Sequence, residues 1–230
     1  MNKDNKLNHI AIIIDGNRRY AKKHAWEVWK GHDYGAETLD KLFDWCKELD
    51  IKELTLYALS TENLNREKRE VEALLDLFRK WFTKFKSDPR IPENQVKVRF
   101  IGKLDLLPED IQDLAKDIEE STSKYNNYKI NFCIAYGGRL ELVETIKKII
   151  ESGKKPEEVT EDLIKENLWL EDEPDAVIRT GDVKRLSNFL PWQSGYSELI
   201  FLEKLWPEFT KQDLIDCVEE FNSRKRNFGK

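Results

Sequence analysis

Six short apolar runs, separated by longer segments with helical periodicity, limit the folds open to this chain more than any other feature. The runs are Ile10 to Ile14, Leu54 to Leu59, Val96 to Ile101, Ile130 to Ala135, Ala176 to Ile178 and Leu199 to Leu202. Most are apolar almost without interruption, which is typical of strands covered by helices on both faces of a parallel sheet. The alternation predicts an α/β fold with a six-stranded, mainly parallel sheet.

Amphipathic stripes between the runs predict the helices that flank this sheet. The clearest stripe comprises Val71, Leu74, Leu75, Phe78, Trp81, Phe82 and Phe85. Three further stripes are Leu39, Leu42, Phe43, Cys46 and Leu49; Ile111, Leu114, Ala115 and Ile118; and Leu142, Val143, Ile146, Ile149 and Ile150. Their helical spacing predicts that each can cover the sheet. A last helix is expected to begin at Thr210, with Asp213 completing a capping box.

Length, charge and cysteine spacing exclude several classes of protein. The 230 residues suit a single domain over residues 1–230. A charged fraction of 36% with a net charge of -5 argues against nucleic-acid binding, which usually needs a basic surface. No apolar stretch approaches the roughly 18 residues of a membrane span, and no signal peptide begins the chain, so we expect a cytoplasmic protein. Cys46, Cys133 and Cys217 form no metal or disulfide pattern and are expected in the core.

The first predicted strand ends at Asp15, the start of an Asp-Gly-Asn-Arg-Arg segment. In a parallel α/β sheet, ligands bind beyond the carboxyl ends of the strands. Backbone N–H groups at a helix start, with Arg19 beside them, predict a diphosphate site. Asp15 itself suits either a Mg²⁺ ligand or a helix cap, and the local sequence leaves both open.

Two other strand ends carry polar groups of the same kind. Ser60 to Arg66 follows the second strand, and alone it is most simply interpreted as a turn and cap. Arg179 ends the fifth strand and is followed by Lys184, Arg185 and Ser187. Three cations and a hydroxyl in so short a segment favour a second phosphate site over a merely solvated loop.

An ordered set of short motifs resembles the cis-prenyltransferase family along almost the whole chain. The motifs are Asp15 to Ala21, Gly31-His32, Ser60 to Asn63, Tyr136 to Arg139, Ile178 to Gly181, Ser187 to Leu190 with Trp192-Gln193, and Leu205 to Pro207. The resemblance implies a cis-prenyltransferase that adds isopentenyl diphosphate to an allylic diphosphate primer, with Mg²⁺ as cofactor. It also implies a homodimer and an apolar tunnel for the growing tail. A peripheral membrane contact during product release is a further expectation.

The resemblance implies roles for individual positions. Asp15 and Asn63 match catalytic residues, and Asp15 and Glu198 match the metal-binding carboxylates. The matching substrate-binding positions are Gly16, Asn17, Arg18, Arg19, Tyr20, His32, Ser60, Glu62, Leu64, Arg66, Arg179, Arg185, Ser187 and Arg226. Of these, Arg179, Arg185 and Ser187 match the isopentenyl diphosphate site, and Arg226 lies in a tail expected to complete the partner's site.

The chain departs from the family pattern at two positions near the allylic site. Val28 stands where many members carry an arginine, and Leu64 where they carry a tryptophan. Arg18 or Lys30 is expected to compensate for the missing charge. Arg18 and Tyr20 resemble the archaeal and eukaryotic branch, which leaves a geranylgeranyl and a farnesyl primer both open. Product length is also open, because small Ala58 favours a longer product whereas Tyr128 is bulky.

Three rival classes compete with this interpretation. A non-catalytic subunit of the same fold would lack the metal and diphosphate residues, which this chain retains. A generic phosphate-ester enzyme is disfavoured because neither a GxxxxGK[ST] loop nor a GxGxxG fingerprint is present. The all-helical trans-prenyltransferases are excluded by the α/β pattern and by the absence of paired DDxxD-type motifs.

Overall fold

Helices and strands alternate along residues 6–224, the part of the chain that the computed structural model describes. The strands are β1 (His9–Ile13), β2 (Glu53–Ser60), β3 (Val96–Ile101), β4 (Tyr128–Tyr136), β5 (Ala176–Arg179) and β6 (Glu198–Phe201). The helices are α1 (Asn17–Lys23), α2 (Val28–Glu48), α3 (Lys68–Lys86), α4 (Arg90–Glu93), α5 (Glu109–Thr122), α6 (Gly138–Glu151), α7 (Glu161–Asn167) and α8 (Lys211–Ser223). All six predicted strands are confirmed. No helix within the described residues is long and apolar enough to cross a membrane.

The strands form one sheet in the order β3-β4-β2-β1-β5-β6, and every neighbouring pair is parallel. The predicted six-stranded sheet is therefore confirmed, and it is entirely rather than mainly parallel. Ile13 near the end of β1 is level with Tyr57 of β2 and with Arg179 of β5. This register brings the carboxyl ends of β1, β2 and β5 to one edge of the sheet.

The two faces of the sheet carry separate apolar cores. Ile12, Leu56 and Phe132 belong to the larger core, which also holds buried side chains of α2, α3, α5 and α8. Tyr57 and Val177 belong to the smaller core on the opposite face. Alternate residues of a strand point to opposite faces, so each strand contributes to both cores. The three cysteines are buried and unpaired, as predicted.

The predicted orientation of α6 is wrong for most of its apolar stripe. Ile149 is buried, but Val143, Ile146 and Ile150 are 47%, 52% and 69% exposed. The helix instead buries Glu141, whose carboxylate accepts hydrogen bonds from three groups: the Tyr136 hydroxyl at 2.5 Å, the Leu170 N–H at 3.1 Å and the Gln193 amide at 3.1 Å. Burial raises the pKa of Glu141. These partners compensate for the desolvation of the acid and leave the apolar stripe on the surface.

Two local contacts fix the starts of helices: a capping box at α8 and a close approach of α1 to α2. The Thr210 N–H donates to Asp213 at 2.7 Å, which confirms the predicted capping box of α8. At the other end of the chain, α1 and α2 approach so closely that a Cβ on Gly31 would lie 2.0 Å from the Asn17 carbonyl oxygen. Only glycine fits this contact, which holds α1 against α2 beside the first strand end.

Candidate active site

A cavity of about 780 Å³ lies at the carboxyl edge of the sheet and extends inward between the sheet, α2 and α3. Its inner part is lined by six α3 side chains, Leu74, Leu77, Phe78, Trp81, Phe82 and Phe85, together with Phe43, Ala58 and Phe132. Most of the predicted α3 stripe thus lines an apolar hollow, although Val71 and Leu75 do not line it. The volume lies in the upper part of the range of small-molecule sites, roughly 300–1,000 Å³.

Asp15 lies at the mouth of this cavity and contacts cations from two elements. Its Oδ2 accepts a hydrogen bond from Arg179 Nη2 at 2.8 Å, and its Oδ1 lies 3.3 Å from Arg19 Nη2. The residue before α1 is Gly16, at φ 116°, and no side chain caps this helix. The interpretation of Asp15 as a helix cap is therefore wrong, and its carboxylate is available to the cavity.

Arg179 orders the loop that follows β5. It is only 4% exposed, and its Nη1 donates to Ser187 Oγ at 2.7 Å and to the Arg185 carbonyl oxygen. The Tyr57 hydroxyl is 3.3 Å from the Ser187 carbonyl oxygen, and burial raises the pKa of Tyr57, which keeps it a neutral donor. Tyr57 also lines the cavity. Tyr57 was not predicted as a site residue, because it lies inside a strand rather than after one.

A second charged cluster surrounds Glu70 near the start of α3. Glu70 Oε1 lies 2.8 Å from Arg66 Nη1, 3.5 Å from Arg18 Nε and 4.0 Å from His32 Nε2. Burial, with the two arginines, lowers the pKa of His32 to about 4, so this ring is neutral near pH 7. Glu70 was not predicted as a site residue. Its spacing of four residues from Arg66, which favours an ion pair on a helix, was the signal in the sequence that could have identified it.

His32 is expected to make folding stability depend on pH. The pKa of His32 is about 4 in the folded protein, below the ordinary 6.5, because the folded protein favours the neutral ring. The unfolded chain therefore binds a proton first as the pH falls. The contribution of His32 to the free energy of unfolding is complete above pH 6.5 and is lost as the pH falls towards 4. The full loss, reached below pH 4, is about 3 kcal/mol. Denaturant unfolding of wild type and His32→Gln between pH 7 and 4 measures it, and the variant should show a shallower decline. Equal slopes for both proteins would contradict this assignment.

The segment after β2 caps a short helical turn and also contributes two side chains to the cavity wall. Ser60 Oγ accepts a hydrogen bond from the Asn63 N–H at 3.2 Å, and Asn63 Oδ1 accepts one from the Ser60 N–H at 3.3 Å. This capping box confirms the interpretation of the segment as a turn and cap. Both residues nevertheless line the cavity. The cap fixes the Asn63 side chain at the cavity wall.

The structure brings most of the predicted site residues together and leaves some apart. The predicted residues that line the cavity are Asp15, Gly16, Asn17, Arg18, Arg19, His32, Ser60, Asn63, Arg66, Arg179 and Ser187. Those that do not are Tyr20, Glu62, Leu64 and Arg185. Tyr20 packs instead against His24, with ring centroids 4.4 Å apart, and Glu62 accepts a hydrogen bond from Asn188 at 3.0 Å. Arg226 lies outside the described residues.

Glu198 does not share a site with Asp15 within one chain, contrary to expectation. It begins β6 and is level with Ala176, whereas Arg179, the partner of Asp15, ends β5. Three residues of a parallel strand span roughly 10 Å, so Glu198 lies towards the opposite edge of the sheet. Its carboxylate is paired with Arg224 Nη1 at 2.6 Å.

The donor set around Asp15 fits one kind of metal. Within residues 6–224, no group of three or more His, Cys, Asp or Glu side chains is arranged to hold an ion. Mg²⁺ is commonly bound through one or two carboxylates together with substrate phosphates. A carboxylate that is 32% exposed at the mouth of a cavity, with two arginines to hold phosphates, fits that mode.

Fold and site together define a class of α/β proteins that hold an anionic head group at the sheet edge and an apolar tail between sheet and helices. The family model described as "Putative undecaprenyl diphosphate synthase" matches residues 13–229. The chain therefore belongs to the undecaprenyl diphosphate synthase family of cis-prenyltransferases, which confirms the resemblance of its motifs.

Individual relatives agree with this assignment. A tritrans,polycis-undecaprenyl-diphosphate synthase (geranylgeranyl-diphosphate specific) of Pyrococcus abyssi is 46% identical over 96% of this chain and 86% of its own length. The enzyme of the same name from Methanocaldococcus jannaschii is 42% identical and covers all of this chain and 85% of its own.

Two solved structures share the fold. Lavandulyl diphosphate synthase from Lavandula x intermedia, in complex with dimethylallyl diphosphate, superposes with a TM-score of 0.94 at 32% identity, over 99% of this chain and 100% of that one. A probable undecaprenyl diphosphate synthase from Campylobacter jejuni superposes with a TM-score of 0.83 at 34% identity, over 98% of this chain and 100% of that one.

Proposed function

We propose that this protein elongates geranylgeranyl diphosphate with isopentenyl diphosphate units in the cis configuration and so makes a polyprenyl diphosphate. The observation that carries the proposal is the Asp15–Arg179 contact, 2.8 Å long, at the mouth of an apolar cavity. Charged groups there suit diphosphates, and the cavity behind them suits a prenyl tail. The names of the archaeal relatives favour geranylgeranyl over farnesyl diphosphate as primer.

In this proposal, each of the two charged clusters binds one of the two diphosphates. Arg19 and Arg66, with Arg18 beside them, bind the allylic diphosphate, as the match of Arg19 and Arg66 to the family motifs implies, and all three line the cavity that takes its tail. Arg179 and Ser187 bind isopentenyl diphosphate on the other side of Asp15. The isopentenyl double bond attacks the allylic carbon as the diphosphate leaves, and a proton is then lost from the new chain. Arginines held in place beforehand stabilise the negative charge of the leaving group.

The proposed reaction also requires Mg²⁺ at Asp15. Asp15 would hold it together with substrate oxygens, and the bound ion would neutralise charge on the departing diphosphate. The same carboxylate also fixes Arg179 and Arg19, so the chain's own residues keep the two head groups close to each other.

Purified protein incubated with Mg²⁺, labelled isopentenyl diphosphate and an allylic primer tests the proposal. Extracted products are expected to carry many added units, with geranylgeranyl diphosphate used better than farnesyl diphosphate. Activity without any second protein would exclude the role of a non-catalytic subunit. Absence of elongation with either primer would overturn the proposal.

Arg18 is proposed to supply the charge that Val28 lacks. Arg18 and Val28 both line the cavity, whereas Lys30 does not. Arg18→Ala is expected to raise the KM for the allylic primer about tenfold, which corresponds to the loss of one charge-assisted hydrogen bond. Steady-state kinetics with varied primer measures the change. Lys30→Ala is the matched control and should keep the wild-type KM; an unchanged KM in Arg18→Ala would refute the role of Arg18.

The exposed stripe of α6 supports the homodimer that the resemblance implies. Val143, Ile146 and Ile150 form one apolar face at helical spacing. Contiguous apolar patches on a surface commonly mark contacts between proteins. We propose that two copies of the chain associate through this face.

Ile146→Glu is expected to convert a dimer into a monomer, because a buried, unpaired carboxylate at the centre of the contact is strongly unfavourable. Light scattering after gel filtration measures the mass of each species. Lys148→Glu, an exposed substitution on the same helix, is the control and should stay dimeric. A dimeric Ile146→Glu protein would place the contact elsewhere.

A further inference from the structure

Two cavities meet at Phe43 of α2. The larger one, of about 780 Å³, holds Asp15 at its mouth, and the smaller one, of about 50 Å³, lies towards the opposite edge of the sheet. Among the described residues, Phe43 lines both cavities and is the one residue that they share. Its side chain therefore lies at the boundary between them.

Phe43 belongs to an aromatic wall made by three elements. Its ring centroid lies 5.5 Å from that of Phe85 on α3 and 6.5 Å from that of Phe132 on β4. Phe85 and Phe132 are also 5.7 Å from each other, edge to face. Both of these are buried, whereas Phe43 is half-buried. Phe43 is thus the member of the wall whose removal joins the two cavities.

The smaller cavity continues in the direction that a growing tail would take. Apolar side chains line it, among them Ile51, Leu54, Ile91 and Ile130. Exposed residues such as Lys47 stand at its border, so it leads towards the surface. Ile51 and Leu54 lie at the amino end of β2, the edge of the sheet opposite to Asp15. A path past Phe43 would therefore run along the strands, from their carboxyl ends at Asp15 to their amino ends.

We propose that Phe43 limits the length of the polyprenyl chain by closing the inner end of the larger cavity. This inference rests on the proposed function and adds a residue that decides product length. The tail lengthens with each added unit while its head stays at Asp15, so its free end advances towards the wall. Once the end meets Phe43, a further unit requires the tail to fold back or leave, and elongation slows relative to release.

Product length in Phe43 variants tests the proposal. Phe43→Ala is expected to give products longer than those of the wild type by one or more isoprene units and more widely distributed, because the path continues to the surface. Phe43→Leu should give a smaller shift in the same direction, and Phe43→Trp a shift to shorter products. Cys46→Ala enlarges only the smaller cavity, behind the intact wall, and should leave the length distribution unchanged.

The outcomes separate this inference from the proposed function. A wild-type protein that elongates no primer overturns the proposed function itself. Elongation by the wild type with the same product lengths in Phe43→Leu and Phe43→Trp overturns only the role of Phe43. These two variants keep the test decisive should Phe43→Ala fail to fold, since both retain a large apolar side chain at the wall. A Cys46→Ala protein with longer products would likewise refute closure at Phe43.

Discussion

Replacement of Asp15 by asparagine is expected to lower turnover about 10²–10³-fold, the usual effect of removing one electrostatic group from a catalytic site. Asparagine has nearly the same shape and can still accept a hydrogen bond from Arg179. It lacks the negative charge that holds Arg179 and Arg19 together, and it is a poorer ligand for a hard cation. Folding should survive, because Asp15 lies at a cavity mouth and not in either apolar core.

Single-turnover kinetics at saturating substrate, together with thermal unfolding, measures both parts of this prediction. Asp76→Asn is a matched control, because it also removes a carboxylate that pairs with an arginine, Arg79 at 2.8 Å, but on an exposed surface. That variant should keep wild-type turnover. An Asp15→Asn enzyme within about tenfold of the wild type would contradict a catalytic role for the carboxylate.

Replacement of Arg179 by lysine is expected to lower kcat/KM for isopentenyl diphosphate by about 10²-fold, since breaking a buried charge network typically costs 2–5 kcal/mol. The guanidinium donates to Asp15 through one nitrogen and to Ser187 through the other. A single ammonium group cannot span both acceptors in this geometry. The loop after β5 then loses its anchor, so affinity for the second diphosphate falls more than affinity for the primer.

Kinetics with each substrate varied in turn distinguishes these effects. Arg79→Lys provides the control, because Arg79 is a surface arginine that also contacts two acids, Asp76 and Asp110. It should behave as wild type. Equal losses for both substrates in Arg179→Lys would point to general unfolding of the site instead of a specific loss at the loop.

The strands could be predicted from the sequence because a buried parallel strand is apolar on both faces. The orientation of α6 could not, because helical periodicity identifies an apolar face without identifying what covers it. The helix buries Glu141 instead, and Tyr136, Leu170 and Gln193 donate hydrogen bonds to its carboxylate in the interior. Leu170 and Gln193 are 29 and 52 positions away from Glu141, so a local pattern could not reveal the burial.

The site was predictable where a residue follows a strand and not where contacts depend on strand order. Asp15 and Arg179 are 164 positions apart in sequence, and they meet because β1 and β5 are neighbours in the sheet. The rule that ligands bind beyond the carboxyl ends of strands located both residues. The rule does not extend to Glu198, which begins β6, and its expected role came from the family motif alone.

The separation of functions between the two faces of the sheet has a mechanical consequence. The cavity lies between the sheet, α2 and α3. The exposed stripe belongs to α6, whose Glu141 contacts Tyr136 and Leu170 of the smaller core on the opposite face. An enzyme whose cargo grows during the reaction needs walls that can move apart. In the dimer proposed above, the cavity of each subunit lies on the face of the sheet away from the contact between subunits. The lipid could therefore lengthen in one subunit without disturbing that contact, and the two subunits could work at different stages of synthesis.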